Sequence, residues 1–289
     1  MYSSQTEYQR AGSVQEAVSL LAGNEDAKVL AGGHSLIPLM KLRLASPSLL
    51  VDIGHVEELN CGVTCNDGTI SISSLTTHAA IASSDIVKSD SPMLAEAAGM
   101  VGDPAVRNRG TIGGNLAHSD PASDLPTVLT ALGATINITG PSGSRSECVS
   151  GFIQGLMENN LGSDEIITSI DVPAKGANQG MAYAKLSHPA SRYAVVGAAA
   201  SVTVEGGTVT AASVAVGGVQ PAPTVGNSVA ASLVGNAPTD AALDEAASAI
   251  CNDIGDDVLS DIFASEDYRK AMAVVYTRRA LGCAVECAG

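Results

Sequence analysis

Arg109-Gly110-Thr111-Ile112-Gly113-Gly114-Asn115-Leu116-Ala117-His118-Ser119-Asp120-Pro121-Ala122-Ser123-Asp124 decides how the rest of the sequence is read. It places three glycines within five positions, an asparagine directly behind them, and then a Ser/Asp/Pro run of the kind that opens a helix. Without side chains at Gly113 and Gly114, peptide N–H groups can approach an anion closely, and the backbone reaches φ values closed to other residues. The plainer reading is a tight turn feeding a helix cap. A second cluster, Ala31-Gly32-Gly33-His34-Ser35, shifts the balance because it too follows an apolar strand-like run and precedes a helix-like one. Two such loops point to one extended ligand with a pyrophosphate.

Upstream of the first loop, Ser13 to Glu16 reads as a capping box, and Val14, Ala17, Val18 and Leu21 follow helical spacing, predicting a helix to about Ala22. Residues 28–31 read as a short strand, 36–44 as a helical segment and 49–53 as another strand. The loop and helix N-terminus of this unit face one side, which favours an anion. Residues 69–72 alternate as a strand does, Thr77 caps a helix through Ile81, and a longer helix over 92–100 starts with proline in its first turn. After the second loop come an apolar helix over 125–132, a strand over 135–139 and a strand over 165–172 that ends at Pro173.

The composition changes at Lys175-Gly176-Ala177-Asn178-Gln179-Gly180, which sets a domain boundary between 1–175 and 176–289. Beyond it, 183–186, 194–205 and 208–216 read as strands, the last two joined by Gly206-Gly207. Helices follow over 239–250 and 265–285, the second with Tyr268, Ala271, Met272 and Val275 on one stripe. Antiparallel strands backed by helices make a small α+β domain.

Length and composition bound the function. The 289 residues suffice for a substantial core, and no uninterrupted apolar stretch reaches the roughly 18 residues of a membrane span. The first residues show no basic region followed by an apolar one, so a cytoplasmic protein is expected. A formal charge of -15 argues against nucleic acid, whose phosphates demand a basic face. Six cysteines, at 61, 65, 148, 251, 283 and 287, match neither a zinc pattern nor an iron–sulfur run, and read as reduced thiols. The dinucleotide fingerprint G-x-G-x-x-G between strand and helix, the P-loop, the G-x-S-x-G elbow and the H-E-x-x-H zinc motif are all absent.

The residues left to carry chemistry cluster around the two loops. His34 and His118 sit in or just after them, but two imidazoles make a poor metal site, and no metal is expected. Asp120 reads as a helix cap, and Asp124 either complements the helix dipole or accepts hydrogen bonds from a ribose or adenine. Arg107 and Arg109 flank the second loop and can balance ligand charge. Lys185 is expected to alternate in direction with Tyr183 along its strand, and Tyr193 either packs in the core or lies against a planar ring. His55, His78 and His188 lack spacing partners and read as surface or core residues.

The run from Ala31 to Leu44 (AGGHSLIPLMKLRL), Gly110-Thr111-Ile112-Gly113-Gly114-Asn115, Asp120-Pro121-Ala122-Ser123-Asp124 and Tyr193-Ala194-Val195-Val196-Gly197 together closely resemble the FAD-binding medium subunit of molybdenum hydroxylases, most of all that of aerobic carbon monoxide dehydrogenase. The resemblance covers nearly the whole chain. It implies an α+β fold: a flavin domain of the vanillyl-alcohol-oxidase type in two subdomains, about 1–55 and 56–175, followed by a C-terminal α+β domain. It also implies that Ala31, Gly32, Gly33, His34 and Ser35, with Thr111, Gly113, Gly114 and Asn115, hold the FAD pyrophosphate and ribityl chain. By the same resemblance Asp124 contacts the cofactor through its carboxylate, Ile167 and Lys185 are flavin contacts, and Tyr193 stands beside the isoalloxazine ring.

In such an enzyme no residue of this chain acts as acid or base on substrate. The substrate is oxidised at a molybdenum–pterin centre in a large subunit, and electrons pass through two-iron two-sulfur clusters in a small subunit to FAD and on to an external acceptor. A dimer of heterotrimers is the implied assembly. The alternative from another class is a self-contained flavin-dependent oxidoreductase of the same fold, and a third is a subunit that has lost FAD.

Overall fold

The computed structural model describes residues 2–289. The first sheet is parallel, built from β1 (Glu7–Arg10), β2 (Lys28–Leu30) and β3 (Leu49–Asp52) in the order β1-β3-β2. Helix α1 (Val14–Ala22) buries Val14, Ala17, Val18 and Leu21, as the spacing predicts. Its capping box is shifted by one residue, because Ser13 Oγ accepts from Glu16 N while Glu16 reaches back to Gly12 N. Helix α2 (Leu36–Lys41) is shorter than expected and stops before Arg43, which takes a left-handed φ of 58°. Strand β1 escaped the sequence reading because all four of its residues are exposed and carry no apolar alternation.

The second sheet is antiparallel, ordered β4 (Val63–Asn66), β5 (Thr69–Ser73), β10 (Ile166–Pro173), β6 (Thr135–Gly140) and β7 (Gly143–Cys148). Its first hairpin is β4 (Val63–Asn66) and β5 (Thr69–Ser73), turned at Asp67 and Gly68, both of positive φ. Helices α3 (His78–Ser83), α4 (Asp85–Asp90), α5 (Pro92–Met100), α6 (Pro104–Arg107), α7 (Ile112–His118) and α8 (Asp124–Ala131) then cross one face before the chain returns. The second hairpin is β6 (Thr135–Gly140) and β7 (Gly143–Cys148); α9 (Val149–Phe152) and the small ribbon β8 (Ile153–Gly155) and β9 (Glu158–Asn159) follow it. Strand β10 (Ile166–Pro173) fills the centre, pairing β5 on one side and β6 on the other.

The third sheet is the antiparallel meander β11 (Gln179–Ser187), β12 (Ala194–Glu205), β13 (Thr208–Gly217) and β14 (Thr224–Val225), beginning six residues after β10 ends. Gly206 and Gly207 supply the two left-handed residues of the β12–β13 turn. Helices α10 (Asn227–Leu233), α11 (Asp240–Ser248) and α12 (Glu266–Cys287) cover one face. The buried stripe of α12 is Arg269, Ala273, Tyr276, Thr277, Ala280, Leu281 and Ala284, not the stripe through Tyr268 and Ala271 that sequence suggested. Small residues face the sheet because the two approach closely: a Cβ on Gly180 would stand 1.8 Å from the Ala284 carbonyl oxygen. All of α8 is buried, and a single apolar cluster runs from the second sheet through α5 and α8 to Met181, Tyr183, Ala199 and Ala215 of the third. Apolar surface buried on both sides of α8 thus holds the third sheet against the helices that carry the second glycine segment.

Candidate functional site

The two glycine segments meet. A Cβ on Gly32 would lie 2.0 Å from the carbonyl oxygen of Arg109 and 3.1 Å from Gly110 Cα, so the first loop rests on the second segment backbone to backbone. Both line one cavity of about 870 Å³, in the upper part of the range of small-molecule sites, about 300–1,000 Å³.

The segments are built differently. Gly33 has φ +76°, and no hydrogen bond within the chain takes up the amides of Gly32, Gly33, His34 or Ser35 among the described residues. Successive unpaired amides around a left-handed residue form a concave donor set suited to an anion. His34 is tied down by Nε2 to the Ala105 carbonyl at 3.1 Å.

In the second segment Gly113 and Gly114 are not a loop. They form the first turn of α7, neither has positive φ, and Thr111 is the N-cap. The expectation that these glycines bare their amides is corrected here. Ile112 N donates to Thr76 O at 3.1 Å, Gly113 N to Ser74 O at 2.9 Å and Asn115 N to Thr111 O at 2.9 Å. Gly114 N donates to Thr111 Oγ1 at 3.2 Å. What these glycines provide is space: a Cβ on Gly113 would stand 2.6 Å from Ser74 Cβ, and one on Gly114 2.9 Å from Thr111 Oγ1. Asn115 donates to Ser123 Oγ at 2.9 Å and leaves its buried Oδ1 without a partner.

Beyond α7, Ser119 turns the chain with φ +52°, and Asp120 accepts from Ala122 N at 2.9 Å; it holds this turn and does not cap α8, whose N-cap is Ser123. Asp124 begins α8 and lines the cavity, but its carboxylate is engaged from behind. Oδ2 accepts from Lys185 Nζ at 2.8 Å and Oδ1 from Tyr183 Oη at 2.7 Å. The expected opposition of Tyr183 and Lys185 is also corrected, since residues two apart on a strand share a face and both reach Asp124. Burial pushes the Asp124 carboxyl above its usual range, against the pull of Lys185 and the Tyr183 hydroxyl, and pushes the Tyr183 phenol well up. Lys185 is 2% exposed and is absent from the cavity wall; it supports Asp124 and also donates to Met100 O at 3.4 Å.

Ile167 lines the cavity beside a β-bulge at Thr168 in β10. Tyr193 closes the opposite side from the third sheet, on a loop fastened by His188 N to Tyr193 O at 2.8 Å and turned at Arg192, φ +61°. Burial first, then the Asp120 and Asp124 charges, raise the Tyr193 phenol, which keeps it neutral. Of the residues expected to contact the cofactor, only Lys185 is off the wall; Arg107, Arg109 and Asp120 do not line it either. Arg107 is spent on the Val101 and Gly102 carbonyls at 3.0 and 3.2 Å.

A third wall was missed. Ser74 to His78 runs antiparallel to Gly110–Gly113, through the two bonds already given and His78 N to Gly110 O at 3.0 Å. Its only sequence signal was a polar run between a strand and a Thr N-cap.

The unpartnered loop amides, the Cβ-free surfaces and the buried orphan atoms of Ser74, His78 and Asn115 make a cradle with both donors and acceptors for a large polar ligand. FAD, with its diphosphate, hydroxyls and planar ring, fits that chemistry. The family described as the FAD binding domain in molybdopterin dehydrogenase matches residues 4–175, and that described as the CO dehydrogenase flavoprotein C-terminal domain matches residues 181–284. The chain belongs to the FAD-binding subunits of molybdopterin dehydrogenases. It is 38% identical to the glyceraldehyde dehydrogenase medium chain of Sulfolobus acidocaldarius, over 97% of this chain and 98% of that one. It is 39% identical to the carbon monoxide dehydrogenase medium chain of Hydrogenophaga pseudoflava, with 96% of each chain covered. A solved structure of carbon monoxide dehydrogenase from the same organism superposes with a TM-score of 0.94 at 40% identity, covering 98% of both chains. The fold is therefore that of a medium subunit, an FAD-binding domain followed by a flavoprotein C-terminal domain, and FAD is the cofactor of this family.

Proposed function

We propose that this chain is the electron-transfer subunit of a molybdenum hydroxylase, in which bound FAD takes electrons from the iron–sulfur clusters of a small subunit and gives them to an external acceptor. The observation that carries the reading is the meeting of both glycine segments and Tyr193 on one cavity. In it the Gly32–Ser35 amides hold the diphosphate, Thr111 and Asn115 meet the ribityl chain and the adjoining sugar, and Ile167 and Tyr193 border the flavin ring. Asp124 touches the cofactor from one side while Lys185 and Tyr183 fix it from the other. In this reading no residue of the chain need act as an acid or base on substrate; its work is to hold the flavin and tune its potential.

The reading includes a large molybdenum–pterin subunit, a dimer of heterotrimers, a boundary at residue 175, and a cytoplasmic location in keeping with six free cysteines, five of them exposed. Carbon monoxide is the substrate class favoured by relatives such as the Hydrogenophaga pseudoflava medium chain, and an aldehyde by the Sulfolobus acidocaldarius one. Purification from the native host is the test. Yellow protein that copurifies with molybdenum and iron–sulfur subunits is expected. Yellow protein that turns over substrate alone would replace this reading with a self-contained oxidoreductase, and colourless protein would overturn both.

A further inference from the structure

Among the described residues, six buried side-chain polar atoms lack a hydrogen-bond partner, and three of them, Ser74 Oγ, His78 Nδ1 and Asn115 Oδ1, belong to residues lining the same cavity. Leaving such an atom unsatisfied costs about 1–3 kcal/mol, so a cluster on one wall calls for something that satisfies it. Asn115 already belongs to the second glycine segment. Ser74 and His78 belong to neither segment.

His78 is 3% exposed and sits where the two segments join. A Cβ on Gly110 would lie 2.9 Å from His78 Cδ2 and 3.0 Å from Nε2, while Gly32 presses on Arg109 and Gly110 from the first loop. The imidazole therefore stands next to the loop that carries four unpaired amides. Its backbone is clamped by the bond from His78 N to Gly110 O, and that of Ser74 by the bond from Gly113 N, so the main chain at both residues is fixed against the second glycine segment. Both are held at the ends of one short segment laddered to the glycines. Burial, and secondarily the nearby His34, lower the imidazole to about 4, so it is neutral at ordinary pH and able both to donate and to accept.

We propose that His78 and Ser74 are two further FAD-holding residues, hydrogen-bonding the diphosphate and adjoining ribityl region of the cofactor from the segment beside the bare amides. The inference rests on the FAD reading given above. It separates from a purely structural role by sign. A histidine kept for the fold would lower the stability of the FAD-free protein when lost. A histidine kept for the cofactor leaves an unsatisfied nitrogen in the FAD-free protein, so its removal is neutral or stabilising there and harmful only to binding.

The experiment uses the full-length chain, stripped of flavin and titrated with FAD by fluorescence quenching, with thermal unfolding measured without FAD. His78→Leu and Ser74→Ala should each weaken FAD binding about tenfold, the loss of one neutral hydrogen bond. Their FAD-free melting temperatures should be unchanged or raised. His78→Asn, which keeps a polar atom near the Nδ1 position, should recover most of the affinity. FAD binding within twofold of the original in His78→Leu and Ser74→Ala would overturn the inference. So would weaker binding accompanied by an equal loss of stability in the FAD-free protein. An original chain that takes up no FAD would instead overturn the FAD reading, and this inference with it.

Discussion

Two of the cavity's walls are made on opposite principles. The N-terminal wall is backbone: Gly33 turns it with φ +76°, Gly32 lies bare against Arg109, and four amides stand unpaired. The C-terminal wall is side chain: Tyr193 rides a loop of the third sheet, and Lys185 and Tyr183 reach under it to Asp124. Backbone donors cannot move without moving the fold, which suits a fixed charged group. Side chains on a loop can be exchanged with little cost to the scaffold, which suits the tuning of a ring. Damage to the first wall should therefore cost binding and stability together, whereas damage to the mouth of the second should change the behaviour of the bound cofactor.

The largest effect is expected from Gly32→Ala. A methyl 2.0 Å from a carbonyl oxygen meets the Arg109–Gly110 backbone and has no rotamer to escape by, so we expect a loss of more than about 4 kcal/mol in urea unfolding and no retained flavin. Lys185→Met comes next, breaking a buried pair whose side chains are 2% and 5% exposed, at about 3–5 kcal/mol. The double variant Asp124→Asn with Lys185→Met should recover much of that loss, because no buried charge is then left alone.

Acid should act through His78 and with a definite sign. The folded protein holds this imidazole neutral down to about 4, whereas the unfolded chain protonates near its ordinary value. Its contribution is therefore complete above about pH 6.5 and lost between there and pH 4, on the order of 3 kcal/mol in total. Urea unfolding of the FAD-free protein across that interval should show a steeper fall for the original chain than for His78→Leu. The smallest effect on stability belongs to Tyr193→Ala, within about 0.5 kcal/mol, since the ring is 44% exposed. That variant should shift the flavin potential or reoxidation rate while substrate reduction of the molybdenum centre proceeds as before.

The same contrast explains what the sequence made legible. Elements with a buried periodic face were readable: α1 and α5 appear within the expected bounds, and β12 spans Ala194–Glu205 as anticipated. Strand β1, exposed at every residue, carried no such pattern. The glycines announced a crowded backbone but not the form it takes, because Gly33 is there for its φ and Gly113 for the space beside Ser74, and composition cannot separate the two causes. Lys185 lies close to the cavity in sequence logic yet reaches it only through Asp124, a relation set by strand direction and helix position. The Ser74–His78 wall stayed hidden because its role comes from pairing with a segment more than thirty residues away.

The claim that the bare amides of the first loop hold a diphosphate is tested most directly by titrating the flavin-free chain with FAD and, separately, with riboflavin, which carries the same ring and ribityl chain without the diphosphate and its adenosine. The account predicts one FAD per chain, bound at least about a hundredfold more tightly than riboflavin. Equal affinity for the two would contradict it.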